Sequence, residues 1–171
     1  MRGFTLVEIM VTSVVLAILI VSLFLVLSIG QRSWLNADVS IQLRQEIARS
    51  IIVMGQELNE TSPAKINITL NSPASSVVFK IPQDLNGDGY VVTTAGDIEW
   101  SPNITYSLNA SNRIQRAVSG GATTIIANNI TGLQFTRTQN ETIQVNLTAS
   151  KVSNTGRLVQ DTGEFVVKLR N

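Results

Sequence analysis

The sequence predicts an α+β fold: one long N-terminal helix, membrane-spanning in its first half, with an antiparallel β-sheet domain packed on its second half. Three observations predict it. Ile9 to Ile29 is an apolar run with no ionisable group. Val39, Leu43, Ile47, Ile51, Met54 and Leu58 then recur at steps of three and four, the period of one helix face. From Ile66 onward apolar residues alternate with polar ones at period two, the pattern of half-buried strands.

The first element is the span. Roughly 20 apolar residues at ~1.5 Å rise cover the ~30 Å hydrocarbon core of a bilayer. Its polar side chains are hydroxyls: Thr12, Ser13, Ser22 and Ser28. The run is too long for the core of an ordinary secretory signal, and its Ala17-Ile18-Leu19 region offers no turn or breaker. The helix continues past the membrane, because no proline interrupts before Pro63. One helix is therefore expected from about Phe4 to about Asn59, stopping at Thr61-Ser62-Pro63. Alternating segments follow: Ile66 to Leu70, Val77 to Ile81, Ile104 to Leu108, Leu133 to Phe135, Ile143 to Leu147 and Phe165 to Leu169. Turn material separates them, notably Asn71-Ser72-Pro73, Asn109 to Asn112, Asn128-Asn129 and Asn154-Thr155-Gly156. Short connections between such strands mean antiparallel pairing, and the stripe from Val39 to Leu58 is the natural cover for the apolar face. The expected segments are a leader at 1–3, a transmembrane helix at 4–30, its amphipathic continuation at 31–61 and a β-rich head at 62–171.

Composition narrows the function. The chain of 171 residues has a net charge of +1, so nothing marks it as a nucleic-acid binder, which needs a basic patch. It has no histidine and no cysteine, which removes the commonest general base, thiol nucleophiles and Cys-ligated zinc. No glycine-rich phosphate loop follows a strand, and no carboxylate pair stands apart from the turns. The chain does not read as an enzyme.

Glu8 is the anomaly. A carboxylate at the edge of a spanning helix is costly, roughly 2.5–3.5 kcal/mol if drawn to the centre, so it calls for a partner. One reading leaves it in the headgroups, where a carboxylate suits the N-terminal end of the helix dipole. The other comes from its setting. Gly3-Phe4-Thr5-Leu6-Val7-Glu8 followed by the apolar run resembles the N-terminus of type IV prepilins and type II secretion pseudopilins. The resemblance implies cleavage after Gly3 by a membrane prepilin peptidase/methyltransferase and N-methylation of the new N-terminus, Phe4. It also implies that Glu8 pairs with the amine of a neighbouring subunit during filament assembly. The leader Met1-Arg2-Gly3 is shorter and less basic than family leaders commonly are, which leaves open an upstream start or a short-leader variant. Charge does not settle the orientation, since Arg2 precedes the span and Arg32, Arg44 and Arg49 follow it. The resemblance places the N-terminus in the cytoplasm.

The second half resembles the family more loosely. Ile104-Thr105-Tyr106-Ser107-Leu108, Arg113-Ile114-Gln115-Arg116, Ile125-Ile126-Ala127 and Ile130 to Phe135 follow one another in an order similar to W-type minor pilins and J-type minor pseudopilins. That resemblance implies a low-copy subunit.

Four further features have two readings each. Asp84-Leu85-Asn86-Gly87-Asp88-Gly89-Tyr90 places oxygen ligands as in the first half of an EF-hand loop: Asp84, Asn86 and Asp88, then the Tyr90 carbonyl. Ala95 stands where the bidentate carboxylate belongs, with Asp97 and Glu99 just beyond. The loop is either a Ca2+ site or a polar hairpin connection, since Asn-Gly and Asp-Gly are strong turn signals. Asn59, Asn67, Asn103, Asn109, Asn129, Asn140 and Asn146 each open an Asn-x-Ser/Thr triplet, read as a consequence of an Asn- and Thr-rich composition over glycosylation. Trp34 suits an interfacial anchor and Trp100 a packed position. Arg113 and Arg116 read as solvated edge charges over partner contacts.

The function expected is a structural subunit of a type IV pilus or a type II secretion pseudopilus. Its partners would be other pilin or pseudopilin subunits, an inner-membrane assembly platform and membrane lipid. It would sit single-pass in the bacterial inner membrane with the head outside, then in a filament. The alternative is a signal-anchored, calcium-dependent adhesin-like head that never enters a fibre.

Overall fold

The structure, a computed structural model, describes residues 5–170. Helix α1 (Leu6–Glu60) runs for 55 residues without interruption, about 80 Å at 1.5 Å per residue. It stops at Thr61, whose N–H bonds back to the Leu58 carbonyl. Pro63 then opens a single 3-10 turn, Pro63–Lys65. Thr61 is buried and ties the helix end to both halves of the head. Its Oγ1 donates to the Lys80 carbonyl at 2.6 Å, and its own carbonyl accepts from the Arg170 N–H at 2.9 Å.

Eight strands follow: β1 (Pro73–Ala74), β2 (Ser76–Phe79), β3 (Ile104–Leu108), β4 (Ile114–Val118), β5 (Thr123–Ala127), β6 (Ile130–Gln139), β7 (Thr142–Val152) and β8 (Leu158–Lys168). They form two four-stranded sheets, ordered β2-β3-β4-β5 and β1-β6-β7-β8, with every strand pair antiparallel. The β7–β8 ladder is the longest, running without a shift from Thr142↔Lys168 to Val152↔Leu158. Turns fall where the sequence put them. Asn71, Asn112 and Asn129 each take a left-handed conformation, with φ of 57°, 57° and 58°, which short Asx side chains tolerate.

The apolar stripe meets the head as its period requires. Val39, Leu43, Ile47, Met54 and Leu58 are buried, and Ile51 is partly so. Opposite them lie Phe79, Tyr106, Phe135, Val145 and Leu147, all at most 1% exposed. Phe79 and Tyr106 stack with centroids 5.4 Å apart. The helix follows β8 in register: Arg44 meets Asp161, Ile47 and Ile51 meet Gly163, Gly55 meets Phe165, and Thr61 meets Arg170.

Two details differ from the sequence reading. The strands divide between two sheets. The alternating segment Ile66 to Leu70 is not a strand but a crossing between them. Ile66 bridges Phe79 of the first sheet, while Leu70 bridges Arg137 of the second and stays half-exposed. The alternation is kept at Ile66 and Ile68, which are buried, and lost at Leu70.

Candidate functional site

Thr5-Leu6-Val7-Glu8 folds as a reciprocal cap. Glu8 N–H donates to Thr5 Oγ1 at 3.3 Å, and Glu8 Oε2 accepts from Thr5 N–H at 2.9 Å and from Thr5 Oγ1 at 3.0 Å. This is the capping box, which satisfies two orphan backbone donors at the helix start. The Thr-x-x-Glu spacing spells it out, yet the reading from sequence passed over it. Both bonds into the carboxylate go to Oε2, and no described residue donates to Oε1. Gly3 and Phe4 lie outside the described residues.

Beyond the cap the helix stands alone. Large apolar side chains from Leu6 to Ile29 are 51–75% exposed, so no part of the head covers them. In water this surface would be untenable for a monomer. In a bilayer it is the required exterior. The hydroxyls within it are internally satisfied: Thr12 donates to the Glu8 carbonyl at 2.8 Å, Ser13 to Met10 at 2.8 Å, Ser22 to Ile18 at 2.7 Å and Ser28 to Leu25 at 2.9 Å. Such back-bonding hides each hydroxyl from lipid.

The loop at 84–90 is built from its own hydrogen bonds. Asp84 accepts from the N–H groups of Gly87 at 2.7 Å and Gly89 at 2.8 Å, and Asp88 accepts from Tyr90 N–H at 2.8 Å. The bonds from Gly89 and Gly87 hold the Asp84 carboxyl below its usual range. Glu99 folds back onto the loop, accepting from Leu85 N–H at 2.7 Å and Asn86 Nδ2 at 3.0 Å. Among the described residues no group of three or more Asp, Glu, His or Cys converges as a metal centre.

Arg116 departs from its reading as a solvated edge charge. β4 is an interior strand, and the Arg116 guanidinium reaches across to Glu57 of α1. Its Nε lies 2.9 Å from Oε1 and 3.0 Å from Oε2, while Tyr106 Oη donates to Oε2. Burial, and then the Glu57 carboxylate, push the Tyr106 phenol far above its usual value. Arg113, in contrast, lies exposed before β4. Trp100 is half-buried, with the Lys65 ammonium 5.5 Å from its ring centroid. Trp34 is 81% exposed just past the apolar run.

Residues 1–24 match the family model described as the prokaryotic N-terminal methylation motif. No curated protein and no solved structure matches the chain. The match supports a type IV pilin-like precursor, with a hydrophobic N-terminal helix that the structure extends unbroken into the head.

Proposed function

We propose that this chain is a structural, non-enzymatic subunit of a type IV pilus or type II secretion pseudopilus, present at low copy, processed after Gly3 and methylated on Phe4. The single observation that carries the reading is the free-standing helix from Leu6 to Ile29, apolar on every side and continuous with the helix at the heart of the head. Such a helix can leave lipid for sister helices at little net cost, because lipid tails are as apolar as those neighbours. Its partners in this reading are the prepilin peptidase/methyltransferase, the inner-membrane platform and other pilin-type subunits.

Glu8 has a divided task. Oε2 closes its own helix cap, and Oε1 is left to accept from the amine of a sister subunit. A buried pair of this kind favours one axial register. Mass spectrometry of the mature protein tests the processing step: the expected N-terminus is methylated Phe4, and Gly3→Val should retain Met1. A wild-type chain that keeps its leader would shift the balance to a signal-anchored binding head. Glu8→Ala should insert in the membrane and fail to enter filaments; normal incorporation would remove the assembly role.

Calcium at the 84–90 loop is a separate proposal, favoured by the Glu99 carboxylate lying against that loop, where it accepts from Leu85 N–H and Asn86 Nδ2. Calorimetry of the full chain in detergent, with and without Asp84→Asn, decides it; no heat with calcium would dismiss it.

A further inference from the structure

The end of the head nearest the span has its own chemistry. The β7–β8 hairpin turn folds down along α1, where Thr155 Oγ1 donates to Asn36 Oδ1 at 3.0 Å. Ser33 and Ala37 of the helix line a cleft with Arg157 and Leu158 of the same hairpin. The apolar run ends at Ile29. Ser33 and Asn36 are thus about 6 and 10 Å further along the helix axis. The headgroup layer of one leaflet is roughly 5–8 Å deep. With its tip held at Asn36, the hairpin stands just above the headgroups of an upright span, and a tilt of the unbroken helix toward the hairpin brings it down onto them.

What it presents there fits such a surface. Arg32 and Arg157 are exposed and have no carboxylate partner among the described residues. The acid nearest in sequence to Arg32, Asp38, accepts from Gln42 at 2.9 Å, and Asp161 is held by Arg44. Val152 and Leu158 face each other at the last rung of the ladder, and each is 60% exposed. Trp34 projects from the helix at the same height. Unpaired arginine, an aromatic ring and uncovered aliphatics at one level are the residue types that settle at a membrane interface.

We propose that this rim, Arg32, Trp34, Val152, Arg157 and Leu158, docks the head on the anionic headgroups of the outer leaflet while the subunit is stored in the membrane. The inference rests on the spanning reading and adds to it a second, peripheral lipid contact that orients the head. The occupant is lipid because the surface is continuous with the span and its charge is opposite to that of phosphatidylglycerol. Extraction into a filament would have to break this contact.

The chain has no cysteine, so single probes can be placed at will. The full chain would carry an environment-sensitive fluorophore at Asn154→Cys in the hairpin tip, at Val15→Cys in the span, or at Thr94→Cys. Thr94 lies beside Val92, which lines a cleft with Glu60 at the far helix end, about 45 Å above Ile29. Each is reconstituted in phosphatidylcholine vesicles with or without phosphatidylglycerol, and quenching by brominated lipid is read. Two arginines at an anionic surface should favour the docked state by roughly 30-fold over neutral vesicles. The probe at 154 is therefore expected to be quenched in phosphatidylglycerol and far less without it. Arg32→Glu with Arg157→Glu should abolish that difference, while Thr94 stays unquenched throughout. A probe at 154 that stays in water in both lipids, while Val15 is quenched, overturns the docking alone. An unquenched Val15 overturns the span and the docking together. Equal quenching at 154 in both lipids overturns the electrostatic contact.

Discussion

Gly163 is the position where the chain leaves no room for a side chain. A Cβ there would overlap Ile47 Cγ2 and stand 3.7 Å from Ile51 Cδ1. Ile47 is β-branched, so in a helix its χ1 has little freedom to swing away. Gly163→Ala should cost about 1–3 kcal/mol, the range for overpacking, and lower the melting temperature of the detergent-solubilised chain. Pairing it with Ile47→Ala should give less than the sum of the two losses, because Ile47→Ala removes the Cγ2 that the new methyl would strike. An isolated glycine in a strand pattern signals close approach of another element, so this contact was within reach of the sequence. Its partner was not, because nothing local says which helix residue arrives. Asp84 makes a second case at this scale. Its carboxyl is held below the usual aspartate range by the N–H groups of Gly89 and Gly87. A depressed value means the ionised form supports the folded loop above the ordinary aspartate pKa, and that support is lost as pH falls through the lowered value. In an NMR titration the Gly87 and Gly89 amide shifts should move together below pH 3.8, the unperturbed value. Asp84→Asn should flatten both curves.

Helix α1 has two working faces in the head, and only one was legible. The stripe from Val39 to Leu58 stands out because apolar residues repeat at the helix period, and it is buried as that period demands. Glu57 lies off that stripe among polar helix residues, where the same rule expects solvent, yet its side chain is only 21% exposed. Glu46 and Glu57 are eleven residues apart, three turns, and so share a face. Glu46 accepts from Asn128 N–H at 2.9 Å at the β5–β6 turn, and Glu57 takes Arg116 and Tyr106. Ser50, fully buried between them, bonds to the Glu46 carbonyl at 2.8 Å. A polar seam thus fastens the helix to the first sheet beside the apolar stripe, which shares its core with residues of both sheets. Hydropathy cannot reveal such a seam, because paired and solvated carboxylates look alike in sequence. The prediction is asymmetric. Glu57→Ala alone should destabilise by about 2 kcal/mol, since it strands the Arg116 charge and the Tyr106 hydroxyl. Glu57→Leu with Arg116→Met should recover a large part of that loss, because the charges are removed together. Chemical denaturation of the wild type and these two variants measures it; equal losses in the single and double variants would mean that the stranded charge is not the cause.

At the scale of the whole molecule, membrane and head share one helix, and the boundary between them is neither a linker nor a break. The half that meets lipid contributes nothing to the core, since its large side chains lie uncovered from Leu6 to Ile29. The half beyond residue 31 is a wall of the core itself. Burying a large apolar side chain is worth about 1.5–3 kcal/mol, so Val39, Leu43, Ile47, Met54 and Leu58 together carry roughly 10 kcal/mol. That matches the whole stability of a typical domain, about 5–15 kcal/mol. Cutting the chain at the two ends of this segment should therefore give opposite results. A fragment of residues 31–171 is expected to be soluble, folded and cooperative in thermal melts, with dispersed amide NMR signals. A fragment of residues 62–171, which looks like the intact head in a strand diagram, should lack fixed tertiary structure and aggregate, because Phe79, Tyr106 and Phe135 lose their cover. A folded 62–171 fragment would show that the sheets close on each other without the helix. The two could then part, and a pull on the span would not reach the head as a rigid displacement. With the fragment unfolded, force applied to the span passes into the core through the same helix, without a hinge, as the proposed extraction from the membrane would require.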